Sequence, residues 1–548
     1  MKLLSTVHGL PRDPARPSED AFGVQERDES VLAVLADGLG ASKEGGSAAR
    51  RAVEMFQDYY LTRPKAWSPR RALREFTNQI NRLFYQESLQ RHNSPELLCT
   101  LSVAAIEGDR LYGLSVGDSP VYLCRRGMVT RLTEPHSLAD DGLDHVLTRA
   151  VGLEMKIEPH CFESAIESGD VVLLCSDGVS TALPPGQLAE LLGRQASARV
   201  IVTAAREATA ENEAMRDDAS AIMLHILEPG WRDDGGRTPL VILPALHVGD
   251  SVDDYRLVRS LQDGDRVWLA TATDGSRRVL KFPPLEAADD EARRDAYVRE
   301  MWNATRTHSP DFVRVSAPAA GTLRYYVMDF VEAPTLREIL KTATLPVEEA
   351  IVLGHTLLRA GQFLLTRDLA HGDLKPENLL VVRSPQNLRF ALLDLGSAAE
   401  VFSVTSRAGT PSYLAPERFR GGPLSERTEL YAIGVILYEA LTRTYPYGEV
   451  ERFQTPTFDS NPRRLGRLNA AVPPWLESVI LRAVAADPAH RYQNFSEMAY
   501  DLEHPTKVTP YHRKGAPLLE SNPLRFYKVL SLFLLLLCFW LFAQLVGR

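Results

Sequence analysis

His371-Gly372-Asp373-Leu374-Lys375-Pro376-Glu377-Asn378, followed sixteen residues later by Asp394-Leu395-Gly396, decides how the second half of this chain is read. Moving a phosphoryl group onto a hydroxyl needs a carboxylate beside the acceptor, a cation for the γ-phosphate, and an amide or carboxylate for Mg²⁺. Asp373, Lys375 and Asn378 offer these within six residues, and Asp394, closing the apolar run 389–393, adds a second Mg²⁺ ligand. Alone, Asp373 reads as a helix cap. In register with Lys375, Asn378, Asp394 and Gly409-Thr410-Pro411-Ser412-Tyr413-Leu414-Ala415-Pro416-Glu417, it reads as a phosphate-transfer residue. Upstream, Lys281 ends the β-like run Val279-Leu280-Lys281, and Glu300 lies on a helical pattern that can supply its partner.

Residues 255–503 resemble the eukaryotic-type (Hanks) serine/threonine protein kinases. The apolar run 430–439, Asp487-Pro488 and Arg491 fit the same family, whose late Arg pairs with Glu417. The resemblance implies a bilobal fold with ATP in the cleft. Lys281 then binds the α/β-phosphates and pairs with Glu300, Asp373 is the base with Lys375 beside it, and Asn378 and Asp394 hold Mg²⁺. Met328 is the gatekeeper, with hinge residues Asp329 to Val331. Three positions depart from the family. The glycine-rich loop (Leu261-Gln262-Asp263-Gly264-Asp265-Arg266) keeps one glycine, Gly264, where three are usual. Gly372 stands where an Arg usually precedes the catalytic Asp, and Glu429 where an Asp is usual.

The first segment alternates short β-like runs with turns, and acidic residues recur at the run ends: Glu19-Asp20, Asp37-Gly38, Asp118, Asp177-Gly178 and Asp217-Asp218. Each Asp-Gly alone is an ordinary hairpin turn. Together the carboxylates make an oxygen-only set suited to hard divalent cations. Their order, with Cys99-Thr100 and residues 147–152, resembles the metal-dependent type 2C (PPM) protein serine/threonine phosphatases over residues 5–227. The resemblance implies an α-β-β-α sandwich with a binuclear Mn²⁺/Mg²⁺ centre between two antiparallel sheets. Asp37 bridges both metals, Asp177 and Asp217 hold one, Glu19 and the Gly38 carbonyl hold the other, and Asp118 serves a third, weaker site. It further implies direct in-line attack of water on phosphorus. Where the family has a phosphate-binding Arg stands Ala15, leaving Arg16 or Arg12 for that contact. Leu39 replaces the His that serves as general acid in animal members.

The remaining composition sets bounds. The chain has 548 residues, 45% hydrophobic and 24% charged, with a formal net charge of −9, which excludes a disordered chain and bulk nucleic-acid binding. Five cysteines form no CxxC pair, pointing to a reducing compartment. Residues 529–546 are 18 without charge, about 27 Å as a helix, preceded by Arg513, Lys514, Arg525 and Lys528. A buried core helix rarely lacks a polar face over that length, so the stretch reads as a single-pass anchor with both catalytic domains on the cytoplasmic side of the inner membrane.

The expected fold class is therefore α+β multidomain: a phosphatase domain over 1–227, a linker over 228–250, a kinase domain over 251–504, a basic juxtamembrane linker over 505–527 and a transmembrane helix over 528–546. The expected protein is a bacterial, membrane-tethered, bifunctional signalling enzyme. Its partners are phosphoproteins, protein substrates, ATP and the membrane, and its cofactors are Mn²⁺ or Mg²⁺, and ATP with Mg²⁺. The alternative is an active phosphatase regulated by a pseudokinase docking module, which the single Gly264 favours and the presence of Lys281, Asp373, Asn378 and Asp394 opposes.

Overall fold

A computed structural model describes residues 1–27, 30–40, 42–64, 66–137, 147–212, 216–230, 241–262, 264–316, 325–384, 387–393, 399–400, 410–450, 456, 458, 462–511 and 523–546. The chain forms two compact units: Met1–Glu332 with Leu364–His371 and Leu393–Ser406, and Ala333–Phe363 with Gly372–Leu392 and Arg407–Arg548.

The first unit opens with β1 (Lys2–Leu10), β2 (Asp20–Arg27), β3 (Ser30–Asp37), α1 (Gly45–Leu61), α2 (Pro69–His92), β4 (Leu101–Glu107), β5 (Arg110–Val116), β6 (Val121–Arg125), β7 (Met128–Arg131), β8 (His160–Ala165), β9 (Val171–Cys175), α3 (Asp177–Ser180), α4 (Pro185–Gly193), α5 (Ala198–Ala208) and β10 (Ala219–Glu228). These strands make two antiparallel five-stranded sheets, ordered β1-β10-β9-β6-β7 and β2-β3-β4-β5-β8. Val31, Leu35 and Ile106 of one sheet pack on Val172, Leu174 and Ile222 of the other. On the outer face of the first sheet, Leu188 and Leu192 of α4 and Ile201 of α5 cover Leu173 and Met223. Helices α1 and α2 cover the second sheet. Strand β3 is therefore buried on both faces, which is why it reads as a continuous apolar run rather than an alternating one. The Ser68 hydroxyl caps α2 by accepting from the Arg71 amide, and Pro69 takes the first helical position. This is the expected α-β-β-α sandwich.

A six-stranded antiparallel sheet follows, ordered β11-β12-β13-β14-β16-β15. Its strands are β11 (Ser251–Val252), β12 (Tyr255–Ser260), β13 (Val267–Ala272), β14 (Arg277–Lys281), β15 (Val315–Ser316) and β16 (Tyr326–Asp329), with α6 (Glu291–Arg306) between β14 and β15. Asp290 caps α6 through the amides of Ala292 and Arg293. Leu257, Trp268, Leu280 and Tyr325 form the core of this lobe, joined by Leu246 from the segment ahead of β11.

The second unit is mainly helical. Its central helix, Glu426–Thr442, is buried from Thr428 to Leu441, which accounts for the apolar run at 430–439. The Arg491 guanidinium, 1% exposed, makes a bidentate pair with Glu417 at 2.7 and 2.8 Å. Sandwich and kinase fold thus agree with the sequence reading.

The transmembrane expectation does not hold. A helix forms at Pro523–Val546, but among the described residues no helix is long and apolar enough to cross a membrane. Hydropathy reads charge and length along the chain. The uncharged run at 529–546 is 18 residues, enough to favour a helix but at the short end of the roughly 20 apolar residues that a hydrocarbon core requires. Arg525 and Lys528 occupy the first turns of the helix.

Candidate active sites

The sandwich gathers its acidic residues at one edge. Glu19, Asp37, Gly38, Asp118, Asp177 and Asp217 line a single cavity of about 640 Å³, with Arg12 and Arg16 also on its wall. Each carboxylate lies at or within two residues of a strand terminus (Glu19 just ahead of β2, Asp37 ending β3, Asp118 past β5, Asp177 past β9 at the start of α3, Asp217 ahead of β10), so the sheets limit where it can go. Asp37 ends β3 and is the cross-strand partner of Asp20 at the start of β2. Thr100 fixes this corner: its hydroxyl accepts from the Asp37 amide at 3.0 Å, and its own amide donates to the Asp37 carbonyl at 2.7 Å. A Cβ on Gly38 would come within 2.4 Å of the Gly45 backbone, and one on Gly178 within 2.0 Å of the Asp218 carbonyl oxygen. Close backbone approach, not turn geometry, demands glycine at both positions.

The electrostatics are those of crowded, desolvated anions. Burial, then the charges of Asp20 and Asp177, hold the Asp37 carboxyl well above the usual carboxylate range. Burial followed by Asp118 and Asp217 pushes Asp177 up to about 6. Burial raises Asp118, and burial with Asp218 and Asp217 raises Glu19. Asp177 Oδ1 is buried with no hydrogen-bond partner among the described residues. An oxygen-only donor set under mutual repulsion fits divalent cations in kind and charge. The carboxylates face one cavity rather than one point: among the described residues no three His, Cys, Asp or Glu side chains are grouped closely enough to hold a metal ion as they stand.

Two neighbours, Asp20 and Asp218, stand among the acidic residues of the sequence but received no role there. Asp20, only 6% exposed, is pushed up to about 7, chiefly by burial. Its position opposite Asp37 follows from strand pairing, and the pairing of β2 with β3 was the signal available. Asp218 accepts from the backbone amide of Arg12, from the Ser18 hydroxyl at 3.0 Å and from the Glu19 amide at 2.5 Å. It ties the loop carrying Arg12, Arg16 and Glu19 to the start of β10.

In the kinase-like β-lobe, Lys281 at the end of β14 pairs with Glu300 on α6. Glu300 also accepts from the Tyr326 hydroxyl at 2.6 Å, and the Tyr297 hydroxyl donates to the Lys281 carbonyl at 2.8 Å. Met328 is buried on β16 opposite Val279, Asp329 is exposed at its end, and Val331 follows two residues later. Gly264 lies at φ +92, and a Cβ there would meet nothing within 4 Å among the described residues.

In the second unit, Lys375 Nζ donates to Asp373 Oδ2 at 2.5 Å and to the Thr410 hydroxyl at 3.1 Å. The Thr410 amide donates to Asp373 Oδ1 at 2.9 Å, and Asn378 Nδ2 donates to the Asp373 carbonyl at 3.0 Å. Gly372 adopts φ +77, where glycine is unstrained, and its amide donates to buried Glu429 at 3.2 Å. Two departures from the family thus meet in one hydrogen bond. Asp394 lies outside the described residues.

Comparison with known proteins covers both halves. Residues 13–222 match the Protein phosphatase 2C family, and residues 265–501 match the Protein kinase domain family. The chain is 30% identical over 300 residues to the serine/threonine-protein kinase PknD of Chlamydia abortus, covering 48% of this chain and 31% of that protein. It thus spans about a third of the length of such relatives. Among solved structures it is similar to PppA, a key regulatory component of T6SS in Pseudomonas aeruginosa (24% identity, 41% of this chain and 98% of that one, TM-score 0.37). It is also similar to the Mycobacterium tuberculosis PknI kinase domain (26% identity, 48% and 99%, TM-score 0.37). On the two family matches, this chain carries a protein phosphatase 2C domain followed by a protein kinase domain in one polypeptide.

Proposed function

We propose that the chain both removes and adds phosphate on protein serine and threonine residues. The observation that carries this reading is that each domain assembles its own set of reactive groups: the carboxylate-lined cavity of the sandwich, and the Asp373–Lys375–Thr410 cluster. In the phosphatase domain, Asp37, Asp177 and Asp217 would hold one Mn²⁺ or Mg²⁺, Glu19 and the Gly38 carbonyl a second that Asp37 shares, and Asp118 a third. Such cations, when bound, neutralise the carboxylates and activate water. Arg12 and Arg16 supply positive charge on the same wall for the phosphate. Asp218 keeps that loop in place.

In the kinase domain, Asp373 accepts the proton of the acceptor hydroxyl. Lys375 and Thr410 hold its carboxylate in one orientation. Glu300 and Tyr326 position Lys281 for the ATP phosphates. Asn378 and Asp394 would hold Mg²⁺. Because ATP is the donor and the five cysteines are free, the fitting compartment is a reducing cytoplasm. The pairing of opposed activities forms a reversible switch.

The pseudokinase reading is favoured by one feature, the loop with Gly264 as its single glycine, and one experiment separates the two. With γ-labelled ATP, the Asp37→Asn chain should label itself more strongly than wild type, and adding Asp373→Asn should remove the label. Absence of label in the Asp37→Asn chain favours the pseudokinase.

A further inference from the structure

Helix α6 carries two opposed faces. At 100° per residue, Tyr297, Glu300, Met301 and Ala304 share one side, while Asp295, Arg299, Trp302 and Arg306 fall within about 60° of each other on the other side. The first face meets the β-lobe through Glu300 and Tyr297. The second meets the phosphatase domain. The Trp302 ring, 2% exposed, sits among Tyr59, Trp67 and Phe76 at centroid distances of 5.6, 6.0 and 5.5 Å. Its indole N–H donates to the Thr62 hydroxyl at 3.1 Å. Around this aromatic centre, Asp295 pairs with Arg71 and Arg299 with Glu75, so two residues one turn apart on α6 meet two of opposite sign one turn apart on α2. The Arg306 guanidinium lies over the Tyr59 ring at 5.2 Å. A second contact reaches the approach to the catalytic loop: Arg51 of α1 pairs with Asp368 at 3.1 Å, five residues before Asp373.

A buried aromatic centre ringed by complementary charges has the anatomy of an energetically dominant protein–protein contact. Here both partners lie in one chain, and the helix held is the one that brings Glu300 to Lys281. We propose that the α1–α2 pair of the phosphatase domain is a docking surface for α6, and that through it Trp302, Asp295 and Arg299 act as positioning residues for kinase activity. The dependence is on the fold of the phosphatase domain, not on its hydrolytic activity.

This inference rests on the kinase reading above, and the test separates the two. In the full chain, Arg71→Glu/Glu75→Arg on α2 sets like charges against α6, as does Asp295→Arg/Arg299→Glu on the other side. Combining all four substitutions restores opposite charges. Phosphorylation of myelin basic protein should fall at least about tenfold in each double variant and return to within about threefold of wild type in the quadruple variant. Hydrogen-exchange protection of residues 291–306 should fall and return with it. Mn²⁺-dependent aryl phosphate hydrolysis should stay within about twofold throughout. Double variants that keep wild-type phosphorylation, or a quadruple variant that regains neither readout, would overturn the proposal. A wild-type chain that transfers no phosphate would refute the kinase reading and with it the positioning role, while exchange protection would still decide the docking.

Discussion

Crowded, buried carboxylates should cost the phosphatase domain stability as pH rises, and the sign and size of that effect follow from Asp20. Burial, with Asp218 adding repulsion, lifts its pKa from 3.8 to about 7. Between those values the folded chain holds a proton that the unfolded chain releases. The stability contributed by that proton is complete below about pH 3.8 and is lost as pH rises towards 7. Three pH units at about 1.4 kcal/mol each amount to about 4 kcal/mol. Asp177, raised to about 6, acts in the same direction, but it belongs to the same repulsive cluster, so the contributions do not sum. Between pH 5 and 7.5 about two units are crossed, roughly 3 kcal/mol, or about 6–12 °C in the melting temperature of a domain this size. Calorimetry of the full chain in EDTA should therefore show the phosphatase transition falling over that range. Mn²⁺ should raise it far more at pH 7.5 than at pH 5, because cations bind the ionised carboxylates. Asp37→Asn removes the carboxylate opposite Asp20. In EDTA at pH 7.5 this variant should melt above wild type and respond weakly to Mn²⁺. A transition in EDTA that is flat or rises from pH 5 to 7.5, or an Asp37→Asn chain that melts below wild type at pH 7.5, would refute the reasoning.

Three further outcomes are expected. Hydrolysis of a small aryl phosphate should require Mn²⁺ or Mg²⁺, stop with EDTA and be abolished by Asp37→Asn; full activity in EDTA would remove the metal assignment. Thr410→Val deletes the hydroxyl shared with Lys375 while leaving the amide that holds Asp373, so kinase turnover should drop by about 10- to 100-fold, the equivalent of roughly 1.4–2.7 kcal/mol, with nucleotide affinity unchanged in a binding titration. Arg491→Met leaves Glu417 without its bidentate partner and should cost about 3–5 kcal/mol in urea unfolding, with much of the loss recovered by adding Glu417→Leu.

The strand-end carboxylates were legible because strands and turns declare themselves over a few residues, and a residue at the end of an apolar run is held at a sheet edge. Asp37 and Asp177 are of this kind. Asp20 is visible in the sequence as an acidic residue ahead of a strand, but its weight is not, since its burial depends on β2 pairing with β3 in the register that sets it opposite Asp37. Asp218 was equally opaque: its hydrogen bonds reach residues about 200 positions away. The tail shows the reverse error. An uncharged run predicts helix correctly, and helix is found at Pro523–Val546, but membrane crossing is a further property that no helix among the described residues meets.

Local pattern, then, was enough to establish two domain types in order and the residue types able to carry phosphate chemistry, because strand ends, glycines at close approaches and short motifs are written in neighbouring positions. Only the tertiary structure decided what the outer face of α6 does. In sequence, Asp295, Arg299 and Arg306 spaced around one Trp look like an ordinary solvated helix face. Folding brings Tyr59, Trp67 and Phe76 onto Trp302, and Arg71 and Glu75 onto Asp295 and Arg299, from more than 200 residues earlier in the chain. A contact of that kind has no local signature, since the free energy that makes it belongs to two surfaces and not to either segment alone.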